Sequence, residues 1–86
     1  MPEYSIVVAR SARKELEKLH ESISSRILAK IESLTSNPRP SGCRKLEGTQ
    51  NLWRIRVGDY RVLYAVDDRM ELVDIIAIRH RRDAYN

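Results

Sequence analysis

The hydrophobic period changes once along this chain, and that change limits what it can fold into. From Ile23, the apolar residues Ile27, Ile31 and Leu34 follow at steps of four, four and three, which is one helical stripe. From Trp53 the period is two. Trp53, Ile55 and Val57 alternate with Arg54 and Arg56, and after Gly58-Asp59 the alternation resumes with Tyr60, Val62 and Tyr64 against Arg61, Leu63 and Ala65. A helical pattern does not settle as a strand, nor a strand pattern as a helix. The first half is therefore expected to be helical and the second half to be sheet.

The remaining segments complete the order. Tyr4–Ala9 is rich in β-branched residues and reads as a first strand. Ser11 is placed to cap a helix whose apolar face is Ala12, Leu16 and Leu19. His20-Glu21-Ser22 reads as a break before the second helix. Asn37-Pro38 ends that helix, because the residue before proline avoids the helical region. Pro38–Gly42 is loop chemistry, and an irregular stretch is expected to about Asn51, with Leu46 as its anchor. A turn at Asp67–Met70 leads to a last strand from Leu72 to about Ile78. The expected fold is α+β, in the order β-α-α-β-β-β. A two-helix hairpin packs on one face of a twisted antiparallel sheet, and residues 1–86 form one domain.

A chain of 86 residues has no room for a dinucleotide-binding unit with a substrate domain, or for a deep cofactor cavity. Its single cysteine, Cys43, excludes an internal disulfide, and Cys43, His20 and His80 have no zinc-ligand spacing, so neither metal nor cofactor is expected. No apolar run approaches the ~18 residues of a membrane span. The start, MPEYSIVVAR, lacks the pattern of a signal peptide. A cytoplasmic protein with no membrane partner is expected.

The placement of charge says more than its total of +4. Between Arg39 and Arg61 stand Arg39, Arg44, Lys45, Arg54, Arg56 and Arg61 against Glu47 and Asp59, which is 6 − 2 = +4, and the rest of the chain sums to zero. A second cluster, Arg79, Arg81 and Arg82, lies near the C-terminus. Concentrated basic charge suits an anionic partner, nucleic acid first. Glycine in the first position of Gly58-Asp59 suits a type II′ hairpin turn. That register sets Val57 against Tyr60, Ile55 against Val62 and Trp53 against Tyr64 on one side, with Arg56 against Arg61 on the other. Like charges directly across strands are destabilising, and an anion held between them reverses the sign. Two readings stand: a phosphate-binding patch of Arg54, Arg56 and Arg61, or arginines splayed into water. If the last strand returns beside its neighbour, Arg81 and Tyr85 join the patch. There Tyr85 is a stacking ring, a proton acceptor, or an ordinary terminal aromatic.

Four blocks carry a family resemblance: Asn37-Pro-Arg-Pro-Ser-Gly42, Lys45-Leu-Glu-Gly48, Leu52-Trp-Arg-Ile-Arg-Val-Gly-Asp-Tyr-Arg-Val-Leu-Tyr64 and His80-Arg-Arg-Asp-Ala-Tyr85. With them, nearly the whole chain resembles the RelE branch of the RelE/ParE superfamily, the toxins of type II toxin–antitoxin pairs. The resemblance implies a ribosome-dependent, metal-independent endoribonuclease that cleaves mRNA in the A site by attack of the substrate's own 2′-OH. It implies a RelB-like antitoxin as partner, and operator DNA contacted only through the antitoxin complex. Carried over by motif, the catalytic positions are Arg54, Arg56, Arg61, Arg81 and Tyr85. Arg39, Arg44, Lys45, Arg79 and Arg82 are the expected RNA-binding positions. The best-studied pattern has lysines where this chain has Arg54 and Arg56. Arginine is too weak an acid to give up a proton readily, which leaves His80 as the candidate proton donor. The alternatives are a ParE-type inhibitor of DNA gyrase, and a module that binds antitoxin and operator without catalysis.

Overall fold

The computed structural model describes residues 3–48 and 51–82. Its elements are β1 (Ser5–Val8), α1 (Arg10–Lys18), α2 (Glu21–Ser33), β2 (Arg44–Lys45), β3 (Leu52–Val57), β4 (Tyr60–Asp67) and β5 (Leu72–His80). The strands form one five-stranded sheet in the order β1-β5-β4-β3-β2. Both helices contribute to one core on one face of the sheet. Ala12 and Leu16 of α1 join Ile27, Ile31 and Leu34 from α2 and its C-cap over Ile55, Val62, Tyr64, Val66, Val73, Ile75 and Ile78.

Two features depart from an all-antiparallel sheet of four strands. β1 runs parallel to β5, with Ser5 against Leu72 and Val8 against Ile75. Alternation fixes which face a strand buries, but a strand with no hairpin to its neighbour carries no local signal of direction. The extra strand, β2, pairs Arg44 with Arg54 and Lys45 with Trp53, and two residues are too few to show a period. Leu46 follows it, its N–H bonded to the Leu52 carbonyl at 2.9 Å.

The helix starts also differ from expectation. α1 begins directly off β1, with Ala9 at the N-cap and no side-chain cap. Ser11 is therefore already inside the helix, and its hydroxyl donates to the Ile76 carbonyl of β5 at 3.2 Å. His20, expected only as a break, caps α2. Its Nδ1 accepts from the Ser22 N–H at 3.2 Å.

Candidate nucleic-acid interface

The β3–β4 hairpin sets the geometry of the uncovered sheet face. Gly58 has φ +60° and Asp59 stays out of the left-handed region, the type II′ combination that matches strand twist. Val57 therefore pairs with Tyr60, Ile55 with Val62 and Trp53 with Tyr64, while Arg56 stands directly opposite Arg61. β5 extends the row, because Arg61 is also directly opposite Arg79. At the other edge, Arg44 of β2 is opposite Arg54. The face away from the helices thus carries five arginines in three like-charge cross-strand pairs. Arg44, Arg54, Arg56 and Arg61 border a shallow depression of about 320 Å³ with Gly42 and Ile55. Among the described residues, no carboxylate forms an ion pair with Arg44, Arg54, Arg56 or Arg79. Like charges directly opposite one another repel, and the row concentrates positive charge on the sheet face that the helices leave uncovered.

Several expected site residues stand elsewhere. Arg81 lies at the hairpin tip. Its N–H donates to the Asp59 carbonyl at 2.7 Å, and its guanidinium Nε is 4.0 Å from the Asp59 carboxylate. The β5 cation in register with Arg61 is Arg79. His80 pairs with Tyr60 and so projects to the helix side of the sheet, opposite to Arg61 and Arg79. It meets the Tyr60 ring edge-on at 5.1 Å, and its Nδ1 accepts from the Arg82 N–H at 3.2 Å. That placement puts His80 on the other face of the sheet from the arginine row. Lys45 pairs with Trp53, which also directs it away from the arginine face. Arg82 is exposed just past the end of β5. Tyr85 lies outside the described residues.

Arg39 is engaged in a cluster of its own. Its guanidinium makes two bonds to the Asp68 carboxylate, 3.0 and 2.8 Å, and lies 5.1 Å from the centre of the Trp53 ring. The Tyr4 hydroxyl donates to the same carboxylate at 2.6 Å. The Arg39 fork, and then the Tyr4 hydroxyl, hold the Asp68 carboxyl below the usual carboxylate range. The same bond raises the Tyr4 phenol. Beneath this cluster, Tyr64 is fully buried and donates to the Pro38 carbonyl at 2.8 Å. Burial, reinforced by nearby Cys43, pushes its phenol well above the ordinary value. Together these contacts hold the 38–43 loop and so position β2 with Arg44. A lone buried tyrosine in an alternating strand gives no sign of its partner, so the sequence pointed to the loop but not to its anchor.

The model for the ParE toxin of type II toxin–antitoxin systems matches residues 6–85. The chain belongs to this toxin family. It is 32% identical to the toxin RelE of Mycobacterium tuberculosis, an alignment covering 95% of this chain and 86% of that one. The fold superposes on RelE in the Pyrococcus horikoshii RelE–RelB complex with a TM-score of 0.83 and 31% identity, covering 92% of this chain and 96% of that one. It also matches a chain of the RelBE2 toxin–antitoxin complex of M. tuberculosis, with a TM-score of 0.81 and 27% identity over 92% of this chain and 99% of that one. It is thus a toxin of the type II systems, with relatives named RelE.

Proposed function

We propose that this toxin is a ribosome-dependent endoribonuclease that cleaves mRNA in the A site, acts in the cytoplasm and is neutralised by a RelB-like antitoxin. The observation that carries the reading is Arg61 flanked in direct register by Arg56 and Arg79. A phosphodiester between these side chains accepts charge-assisted bonds from both sides. The substrate's 2′-oxygen attacks the adjacent phosphorus as its proton passes to a base, and the P–O5′ bond breaks. The products are a 2′,3′-cyclic phosphate and a 5′-OH. Cations fixed around the phosphorus stabilise the charge that builds on its oxygens, each worth about 3 kcal/mol, or roughly 10²-fold in rate. Tyr85 is the proposed base or base-stacking ring. With His80 turned to the other face, the leaving oxygen takes its proton from water. The relatives solved as RelE–RelB complexes support the antitoxin assignment. Among the described residues no helix is long and apolar enough to cross a membrane.

The test is single-turnover cleavage on ribosomes programmed with a defined mRNA, together with pulse labelling after induction of the toxin alone. Cut mRNA with a cyclic phosphate end and an early stop in protein synthesis are expected. The matching family is described as ParE toxins, which keeps a second reading open, a ParE-type inhibitor of DNA gyrase. Thymidine incorporation failing first, with intact mRNA, is its signature. A module that binds antitoxin and operator without catalysis would produce neither effect.

A further inference from the structure

The cationic surface does not end at the sheet face. β2 pairs β3 only at Trp53 and Arg54, so beyond Arg54 no described strand flanks that edge of β3. There α2 runs alongside β3, and an open groove lies between them. Arg26, Lys30 and Arg56 line it, with Ala29 and Ser33 leaving room between the cations and Gly58 closing one end. The Arg26 guanidinium packs against the hairpin turn, 3.5 Å from where a Cβ on Gly58 would stand. No carboxylate lines this groove, and among the described residues none forms an ion pair with Arg26 or Lys30. Arg56 borders both this groove and the depression on the arginine face. The two basic surfaces are therefore continuous around the β3 edge.

We propose that the α2–β3 groove is a second RNA-backbone site. In it Arg26 and Lys30 hold phosphates of the strand that leaves the arginine face past Arg56. The inference rests on the RNA-cleaving reading above and extends it from one phosphate to a tract. Arg26 and Lys30 are one helical turn apart on α2 and so present neighbouring cations along one side of the groove. Such a site reads charge and not sequence, and its contribution is salt-dependent.

The experiment compares wild-type protein with Arg26→Gln/Lys30→Gln, which removes both charges but keeps unbranched polar side chains that suit a helix. The probes are a fluorescent 2′-O-methyl trinucleotide, which covers the arginine face alone, and a 12-mer of the same chemistry, which cannot be cut. Affinity for the 12-mer is expected to fall about 10-fold in the double variant. Its log–log salt slope should shrink by about 1.4, or about 0.7 for each lost contact to a single strand. Trinucleotide affinity is expected to stay unchanged. Equal 12-mer affinity and slope in the two proteins would overturn the proposal. So would unchanged RNA binding with weakened binding of the antitoxin, which would assign the groove to an acidic peptide. If wild-type protein fails to cut programmed ribosomes but the 12-mer effect holds, the catalytic reading fails while the groove stands.

Discussion

Arg79 stands directly across from Arg61 on adjacent strands, and Arg56 stands directly across from Arg61 on the other side. Of the C-terminal arginines, Arg79 is the one in register with that row. Arg81, two residues on, is tied by backbone and side chain to Asp59 at the hairpin tip. The C-terminal motif alone could not separate these two cations, because they differ by one strand period, and the strand's end was expected near Ile78. In the structure β5 continues to His80, so Arg79 belongs to the sheet.

Arg79→Ala is accordingly expected to lower the single-turnover cleavage rate about 10²-fold, the scale of one lost contact to developing charge. Arg81→Ala should cost much less rate and act through weaker anchoring of the hairpin tip. Rates measured at saturating ribosome concentration decide between them. A larger loss for Arg81→Ala would move the catalytic role beyond the end of the strand.

Arg56→Thr tests the strain in the row. Threonine suits a strand and removes one cation from a directly opposed pair. The free protein is expected to gain a few tenths of a kcal/mol in stability while losing most of its cleavage. The gain should shrink as salt screens the wild-type repulsion. Urea midpoints at low and high ionic strength check it. A variant less stable than wild type at low salt would mean that Arg56 contributes more by packing than it costs by charge.

How far the site was legible follows from these positions. The Gly58-Asp59 turn and the strict alternation on either side specify a register, so the sequence alone implies the Arg56–Arg61 pair. The Arg44–Arg54 pair is not implied, because two residues of β2 show no period. Nor is the pairing of Arg39 with Asp68. Its partner Asp68 lies 29 positions away, and a basic residue in a basic segment looks the same whether it meets RNA or a carboxylate. The face that His80 occupies depends on where β5 ends and how it pairs, which its sequence neighbours do not show. The groove residues Arg26 and Lys30 were missed because their signal, two cations one turn apart, is common on solvated helices and gains meaning only beside an uncovered strand edge.

The Arg39–Asp68–Tyr4 cluster has a defined acid response. The Asp68 carboxyl titrates lower in the folded protein than in the unfolded chain. Its contribution is therefore fully present above the unfolded value of about 3.9 and is lost as pH falls through the depressed folded value. Asp68→Asn removes this dependence. Wild type should exceed the variant in urea midpoint at pH 7, and the two should converge as pH falls through the depressed folded value. A constant difference down to pH 2 would show that the cluster acts through shape and not through charge.

Tyr64 gives the opposite response at the alkaline end. Its hydroxyl is buried and donates to the Pro38 carbonyl, and its phenol is raised above the unfolded value. A raised pKa means that the neutral form is the one that folding favours. Its contribution is whole below about pH 10 and declines as pH rises from there towards the folded value. Tyr64→Phe keeps the ring in the core but leaves the Pro38 carbonyl without its donor, at a cost of about 1–2 kcal/mol at neutral pH. For a domain of this size that is a fall of several degrees in Tm. Above pH 10 the wild type should lose stability faster than the variant, because only the wild type must keep a phenol neutral. Denaturant midpoints of both proteins from pH 8 to 11 measure the difference, and the subtraction removes the other tyrosines. Parallel curves across that range would show that the Tyr64 hydroxyl reaches solvent and is not the anchor of the 38–43 loop.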